Sequence, residues 1–307
     1  MANSIAEQVH LRNKAEQVHL RNKVWSLTVL PDKGACVSSC QCFGFPVMHS
    51  GNLKQIETGN IFSASCFPMV PYSNRIENGI FSFQGQTQHI QKNHPDNIFP
   101  IHGSGWEKSW QIDRETETHC DLSMTYSPEA GGWPWVFKAQ QKIKIEGVKL
   151  TYQLSIKNKD RVPFPVGLGL HPSFSNALTA QARFKTGDMW ACDARLIPVR
   201  KTALTPETDF SQGKKIQNCQ LDNCFEDWDG FAQIKWPLFE GAIHMKASPE
   251  FSSLVVYIDS KNDYFCLEPV THVNNALNMD CGRPMKVLKP NETFSADVVF
   301  SYIPTAK

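Results

Sequence analysis

Apolar and polar side chains alternate with a period of two over several stretches of the chain. In residues 150–157 every second position is apolar, and residues 294–301 follow the same pattern. Strict alternation predicts β-strands that bury one face and expose the other.

Turn residues divide these stretches at short intervals. Gly147 separates two alternating runs, which predicts a hairpin, and Asn78-Gly79 together with Gly85 bounds another pair of short strands. Residues 24–30 are predicted to form a further strand. Nineteen prolines, eighteen glycines and the lack of long amphipathic patterns favour an all-β fold, either a sandwich or a barrel.

One nonamer occurs twice near the amino terminus. Residues 6–14 read AEQVHLRNK, and residues 15–23 repeat the same letters. A single repeat of this length is too short to form a solenoid. We therefore expect residues 1–23 to form a terminal segment whose first nonamer is loose at the surface. Residues 24–307 are expected to form one domain, since the polar stretch 205–215 is typical of a long loop.

Length, charge and cysteine usage narrow the function classes. The chain has 307 residues and a formal net charge of +1, and it has no basic stripe, so we expect no nucleic-acid partner. No apolar stretch is long enough for a membrane span, and the amino terminus lacks the apolar core of a signal peptide. The ten cysteines are irregularly spaced, which favours reduced thiols in a cytoplasmic protein. A monomer or a homodimer is expected.

Two apolar runs each end in an ionisable side chain followed by proline. His171 follows the run GLGL, and Glu268 follows the run YFCL. Burial disfavours the charged form of such groups and so shifts their pKa, and an imidazole and a carboxylate could exchange protons with a neutral substrate. A hydrogen-bonded core histidine and a salt bridge from Glu268 to Arg75 are the structural alternatives.

Several polar residues are candidates for binding a hydroxylated ligand. Asn74 and Arg75 lie between apolar residues, and a guanidinium offers a rigid fork of donors, although a single arginine often only closes a turn. A polar cluster directly after Glu268 is suited to the same purpose; it consists of Thr271, His272, Asn274 and Asn275.

His102 also follows an apolar run and precedes a glycine. Together with His94 it could indicate a metal, but no third ligand stands at a suitable spacing. No metal and no cofactor are therefore predicted.

An acidic and aromatic stretch and three tryptophans complete the candidates. Asp222 is the member of the acidic stretch best placed for ligand contact. Trp106, Trp133 and Trp135 could offer flat faces to a sugar ring, although Trp135 is expected in the core.

Five motifs resemble, in the same order, those of the aldose 1-epimerase (galactose mutarotase) family. They are VPYSNRIENG at residues 70–79, PIHGSGW at 100–106, GLGLHPSF at 167–174, LDNCF at 221–225 and LEPVTHVNNA at 267–276. The resemblance runs from about Val24 to the carboxyl-terminal strand. It implies a large antiparallel β-sandwich with its site in a cleft on one sheet. It also implies an enzyme that interconverts the α and β anomers of a free monosaccharide without a cofactor.

The resemblance implies roles for individual residues. Glu268 matches the general base that takes the proton from the C1 hydroxyl, and His171 matches the general acid that protonates the ring oxygen. His102 matches a second histidine near that oxygen, and Arg75 and Asp222 match residues that hold sugar hydroxyls. We expect Glu268 to start ionised and His171 protonated, with a sugar ring between them, and the pair to give a bell-shaped pH profile.

Two features leave the substrate open. Ser173 stands where family members often carry an aromatic residue, and a smaller side chain there could widen the pocket. Some relatives act on sugar 6-phosphates or other anionic sugars, which require a basic cluster, and Arg183 and Arg195 are candidates for it. The sequence therefore predicts an epimerase for a free aldohexose. A mutarotase for an anionic sugar and a non-catalytic sugar-binding protein are the alternatives.

Overall fold

The computed structural model describes residues 16–217, 219–279 and 285–305. The first nonamer, residues 6–14, lies outside these ranges, so its expected looseness stays a prediction.

The second nonamer forms a strand. Strand β1 (Val18–Arg21) pairs antiparallel with β2 (Trp25–Leu30) and buries Val18 and Leu20 completely. The β-structure therefore begins before residue 24.

Two large antiparallel sheets and three smaller ones account for the strands that the structure describes. The first large sheet has the spatial order β18 (Lys214–Lys215), β15 (Gln181–Phe184), β20 (Phe231–Lys235), β21 (Ala242–Ala247), β25 (Thr293–Ile303), β11 (Lys149–Asn158), β10 (Phe137–Glu146), β9 (His119–Tyr126) and β8 (Gln111–Thr116). The second has the order β17 (Pro198–Thr202), β16 (Met189–Cys192), β19 (Leu221–Phe225), β22 (Ser253–Ile258), β23 (Tyr264–Val270), β13 (Gly169–Leu170) and β5 (Pro68–Met69), with β14 (Ser173–Ser175) also paired to β23. The smaller sheets join β1 and β2 to β3 (Cys36–Cys42) and β4 (Phe45–Pro46), β6 (Ile80–Phe83) to β7 (Gln86–His89), and β12 (Phe164–Val166) to β24 (Lys286–Leu288).

The two large sheets pack face to face around one apolar core. Phe174 on β14 stacks with Phe265 on β23 at a centroid distance of 5.5 Å, and it also meets Phe300 on β25 of the other sheet at 6.2 Å. Phe184 on β15 and Phe225 on β19 make a second contact between the sheets, at 6.2 Å. All five rings are buried, so the predicted all-β antiparallel sandwich is confirmed.

The alternation in the sequence produces the longest hairpin. β10 and β11 pair along their whole lengths, and every second residue of β10 and β11 is buried. Gly147 in the turn has a φ of 58°, a left-handed conformation that glycine adopts without steric cost.

In the part of the chain that the structure describes, helical structure is limited to short segments. They are the α-helix α1 (Leu53–Glu57) and single 3₁₀ turns at Ile61–Ser63, Glu77–Gly79, Gly105–Glu107 and Ala276–Asn278. Within the described ranges, no helix has the length and apolar character needed to cross a membrane. The nine cysteines in these ranges are all free thiols.

Candidate active site

Strand β23 positions the candidate carboxylate. Phe265 and Leu267 point into the core and are fully buried there, whereas Tyr264, Cys266 and Glu268 line a cavity on the opposite face of the sheet. This is the ordinary alternation of a strand. It places Glu268 on the cavity face because the apolar residues beside it hold the strand against the core.

His171 reaches the same cavity from the connection between β13 and β14. Its backbone N–H donates to the carbonyl of Phe67 at 3.0 Å, and its ring stacks on the Phe67 ring at a centroid distance of 4.4 Å. Its Nε2 lies 3.4 Å from Oε1 of Glu268. The predicted acid and base are therefore direct neighbours in this structure, whereas the sequence analysis expected a sugar ring between them.

Burial sets the proton distribution of this pair. Removal from water raises the pKa of Glu268 well above its ordinary value; the charge of Asp222 adds to this shift and Arg75 opposes it. The same desolvation lowers the pKa of His171 to about 4. At a pH between the pKa of His171 and that of Glu268, the pair holds one proton. Burial favours this proton on the Glu268 carboxyl group, where neither side chain is charged. This is the reverse of the ionised glutamate and protonated histidine expected from the sequence.

A second histidine is fixed by the loop that carries Asn74. The backbone N–H of His102 donates to the Asn74 carbonyl at 3.0 Å. The ring nitrogen Nδ1 of His102 accepts from the backbone N–H of Asn74 at 3.1 Å. Burial, and secondarily the charges of His171 and Arg75, hold the pKa of His102 well below its usual value. A neutral imidazole that accepts at Nδ1 carries its proton on Nε2. His102 therefore has an Nε2–H donor left for a ligand.

Gly103 allows the backbone after His102 to come close to the backbone of Val70. It has a φ of 70°, and a Cβ at this position would lie 2.2 Å from the carbonyl oxygen of Val70. Only glycine fits here, which explains the glycine directly after His102.

Arg75 and Asp222 form the charged pair of the cavity. Nη2 of Arg75 lies 3.7 Å from Oδ2 of Asp222, and its Nη1 donates to Oδ1 of Asn74 at 3.3 Å. Burial raises the pKa of Asp222, and Arg75 opposes that shift. Since Arg75 pairs with Asp222, the salt bridge to Glu268 considered as a structural alternative is not formed.

These side chains enclose a single open cavity of about 220 Å³. Pockets for drug-sized ligands occupy about 300–1,000 Å³, so this cavity suits a small polar ligand. Its lining residues are Phe62, Asn74, Arg75, Asn97, Ile101, His102, His171, Asp222, Tyr257, Tyr264, Cys266 and Glu268.

The tryptophans lie elsewhere. Trp106 is buried among apolar side chains, donates from Nε1 to the Ile101 carbonyl at 3.3 Å, and does not line the cavity. Trp133 and Trp135 belong to the main core, where Trp135 stacks on Phe164 at 5.4 Å. The structure therefore does not bring Trp106 to the other predicted site residues, and the expected core position of Trp135 is confirmed.

Two members of the polar cluster 271–275, His272 and Asn275, support the fold. His272 accepts from the Ser73 N–H at Nε2, at 3.0 Å, and its Nδ1 donates to the carbonyl of the next residue at 2.8 Å. Oδ1 of Asn275 accepts from the Glu77 N–H at 2.9 Å. These side chains hold the loop that carries Asn74 and Arg75, and none of them lines the cavity.

The glycines before His171 also have a packing role. A Cβ on Gly167 would lie 2.1 Å from the His272 ring, and one on Gly169 would lie 2.5 Å from the Met69 side chain. The run GLGL is therefore small because of what packs behind it, and not to give space to His171 itself.

Some lining residues have no local signal in the sequence. Tyr264 and Cys266 could have been found, because they alternate with Glu268 along β23. Tyr257 enters the site by pairing with Cys266 across the sheet, and Phe62 belongs to a short 3₁₀ turn far away in sequence. Only the tertiary structure brings these two residues to the cavity.

Ser173, Arg183 and Arg195, which the sequence analysis linked to substrate choice, lie outside the cavity. Ser173 is buried behind Cys266, with Oγ 3.6 Å from its Sγ, so it does not widen the pocket directly. Arg195 pairs with Glu77 and with Asp193, each at 2.8 Å. Arg183 is exposed and donates to a backbone carbonyl. Neither arginine lines the cavity.

The fold is that of the galactose mutarotase-like proteins. A galactose mutarotase-like protein from Clostridium acetobutylicum superimposes with a TM-score of 0.84 and 19% identity, over 94% of this chain and 95% of that one. A proposed aldose 1-epimerase from Escherichia coli K12 gives a TM-score of 0.85 and 23% identity, over 94% and 99% of the two chains.

The family follows from the sequence comparison. Residues 16–301 match the aldose 1-epimerase family, and the chain belongs to it. Uncharacterized protein YphB of Escherichia coli K12 is 26% identical over 261 residues, which cover 82% of this chain and 87% of that protein. Uncharacterized protein YihR of the same strain is 23% identical over 234 residues, which cover 71% and 76% of the two.

Proposed function

We propose that this protein is an aldose 1-epimerase that interconverts the α and β anomers of a neutral aldohexose. The observation that carries the proposal is the 3.4 Å contact between Nε2 of His171 and Oε1 of Glu268 at the wall of an open cavity. The two oxygens that exchange protons in this reaction, O1 and the ring oxygen O5, are bonded to the same carbon. An acid and a base that serve them must therefore stand side by side.

The proposed cycle begins when the shared proton moves to His171. Glu268, now a carboxylate, takes the proton from the O1 hydroxyl while the C1–O5 bond breaks and the C1=O1 bond forms. O5 takes a proton from the His171 imidazolium, so the product is the open-chain aldehyde. Rotation about C1–C2 exposes the other face of the carbonyl, and the reverse transfers close the ring as the other anomer. General acid and base contributions are each about 10²–10⁴-fold.

Burial favours the proton distribution that follows ring opening. After ring opening the proton is on Glu268 and His171 is neutral, which is the distribution that desolvation favours in the empty cavity. We propose that the Nε2–H of His102 donates to the ring oxygen, and that Arg75, Asp222 and Asn74 hold other hydroxyls of the sugar.

The charges around the cavity favour a neutral sugar over a phosphorylated one. Arg75 is the only arginine or lysine among the described residues that line it, and it is already paired with Asp222. A phosphate dianion would also lie near Glu268 and Asp222. Strong phosphate sites use clusters of arginine or charge-assisted donors, and no such cluster surrounds this cavity within the described ranges.

The test is the rate of anomer exchange in freshly dissolved sugars. One-dimensional proton NMR of the anomeric signals would follow α-galactose, α-glucose and their 6-phosphates, with and without the protein. We expect a neutral aldose to equilibrate faster and the 6-phosphates to show little acceleration. Acceleration of the 6-phosphates alone would favour the anionic-sugar alternative, and acceleration of no sugar would favour a binding protein.

A matched pair of variants separates catalysis from fold. Glu268→Gln should slow exchange by at least about 10²-fold while sugar binding, measured by saturation-transfer NMR, is largely kept. Glu226→Gln changes another buried carboxyl group, which pairs with Lys201 outside the cavity, and should leave the rate near that of the unchanged protein. Similar rates for both variants would contradict the role of Glu268.

A further inference from the structure

A thiol lies beside the proposed acid–base pair. A ring nitrogen of His171, Sγ of Cys266 and a carboxylate oxygen of Glu268 all lie within 4.8 Å of one another, and all three residues are buried. No other group of three or more histidine, cysteine or acidic residues in the described part of the chain meets the same criterion. The cycle proposed above assigns no step to Cys266.

A second observation points to a ligand at this place. Oε2 of Glu268 is buried and has no hydrogen-bond partner, although the side chain is only 4% exposed. A buried carboxylate oxygen without a partner is costly. Its environment contains an imidazole nitrogen and a thiol, which together with a carboxylate are the ligand types that bind Zn²⁺.

The spacing fits a tetrahedral ion. Zinc binds nitrogen and oxygen at about 2.0–2.2 Å and thiolate sulfur at about 2.3 Å, so its ligands lie about 3.3–3.8 Å apart. The His171–Glu268 separation of 3.4 Å falls in this range. Sγ of Cys266 lies within 4.8 Å of the other two atoms and needs to approach them by about 1.5 Å at most. The fourth position of the ion would face the cavity.

We infer that His171, Cys266 and Glu268 form a binding site for a thiophilic divalent cation such as Zn²⁺, and that the bound ion blocks anomer exchange reversibly. Metal binding stands on the three side chains alone, and only the inhibition rests on the proposed function. An ion at this site would occupy the lone pairs that the acid and the base need, so metal and sugar should exclude each other.

Binding has a defined proton balance. The ion displaces the proton of the Cys266 thiol and the proton shared by His171 and Glu268, because thiolate, neutral imidazole and carboxylate are the binding forms. Two protons should therefore leave for each ion bound. The apparent affinity should rise with pH, because binding releases protons.

The direct test uses Co²⁺ as a spectroscopic probe on the full-length, tag-free protein. Cobalt bound by a thiolate gives an intense near-ultraviolet charge-transfer band. We expect this band in the unchanged protein and its loss in Cys266→Ser. The affinity of Cys266→Ser for Co²⁺ should be weaker by at least about tenfold. Cys219→Ser, which changes a half-buried cysteine beside another surface pocket, should keep both the band and the affinity.

The outcomes separate the site from the function. Cys266→Ala serves as a second variant, and near-ultraviolet circular dichroism checks that each variant is folded. No band in the unchanged protein, or a band that survives in both Cys266 variants, would overturn the metal site. In the anomer-exchange assay, Zn²⁺ should slow the reaction and a chelator should restore it. A band in a protein without epimerase activity would overturn the proposed function and leave the metal site standing.

Discussion

His171 and His272 make an instructive pair. Both are buried, and burial lowers the pKa of each to about 4. In His272 both ring nitrogens are engaged, one by the Ser73 N–H and one by a backbone carbonyl. In His171 Nδ1 has no partner, and Nε2 faces Glu268 beside an open cavity.

A shifted pKa alone therefore does not identify a functional histidine. The same desolvation acts on both rings. What differs is the remaining capacity for hydrogen bonds, because a ring with two backbone partners cannot exchange protons with a ligand. We therefore assign His272 to the support of the Asn74–Arg75 loop and propose His171 as the catalytic group.

The largest expected effect is the loss of turnover in His171→Asn. The amide keeps some polarity and volume but cannot transfer a proton, so kcat should fall by about 10²–10⁴-fold while the melting temperature changes little. Stopped-flow polarimetry or NMR exchange would measure the rate. His244→Asn, a half-buried histidine outside the cavity, is the control. Turnover within about threefold of normal in His171→Asn would end the proposed role.

The pH profile should show the lowered pKa of His171. The profile of kcat/KM reports the free enzyme, and the pair is competent while it holds one proton. The acid limb should therefore lie near pH 4, where His171 takes a second proton, and the alkaline limb well above the ordinary pKa of a glutamate, since that pKa is raised. Circular dichroism would confirm folding at each pH. An acid limb near 6.5, the ordinary value for histidine, would contradict this account.

His272→Ala should cost stability more than chemistry. It leaves the buried Ser73 N–H without a partner, which costs about 1–3 kcal/mol, and it should raise KM more than it lowers kcat because the Asn74–Arg75 loop loosens. Chemical unfolding and steady-state kinetics would measure both.

A double-mutant cycle sharpens this prediction. Gly167→Ala should strongly destabilise the unchanged protein, because its Cβ would lie 2.1 Å from the His272 ring. In the His272→Ala background the same change should cost much less. Equal costs in both backgrounds would show that the ring does not pack there.

The smallest expected effect is a gain in stability in Glu268→Gln. The folded state raises the pKa of Glu268, so the stability that this group contributes is present below pH 4.5 and is lost as pH rises toward the folded pKa. An uncharged amide has no such pH dependence. Glu268→Gln should therefore stabilise the protein at pH 7, by about 1 kcal/mol or more, and the gain should vanish below pH 4.5. Urea unfolding at both pH values would test this, and a gain independent of pH would contradict the cause.

Local patterns predicted much of the fold and part of the site. Period-two alternation located β10, β11 and β25, because a strand with one buried face needs that pattern whatever it pairs with. Apolar runs ending in an ionisable group pointed to His171 and Glu268, which lie together in the cavity with Asn74, Arg75, His102 and Asp222.

The rest depended on contacts between distant parts of the chain. His272 resembles a site residue in sequence, and only its bond to Ser73, 199 positions away, shows that it is structural. The sequence predicts Trp106 at the site, but its ring packs among apolar side chains outside the cavity. Cys266 stands in the sequence only as part of an apolar run.

The amino-acid sequence by itself indicated the strands, the all-β class and two candidate residues for proton transfer, because these depend on short-range periodicity and on residue type. The tertiary structure decided which nitrogen atoms remain free, which charges are paired, and that imidazole, carboxylate and thiol meet at one wall. Those properties depend on the number of hydrogen-bond partners and on distances in space, and neither is encoded in the order of neighbouring residues.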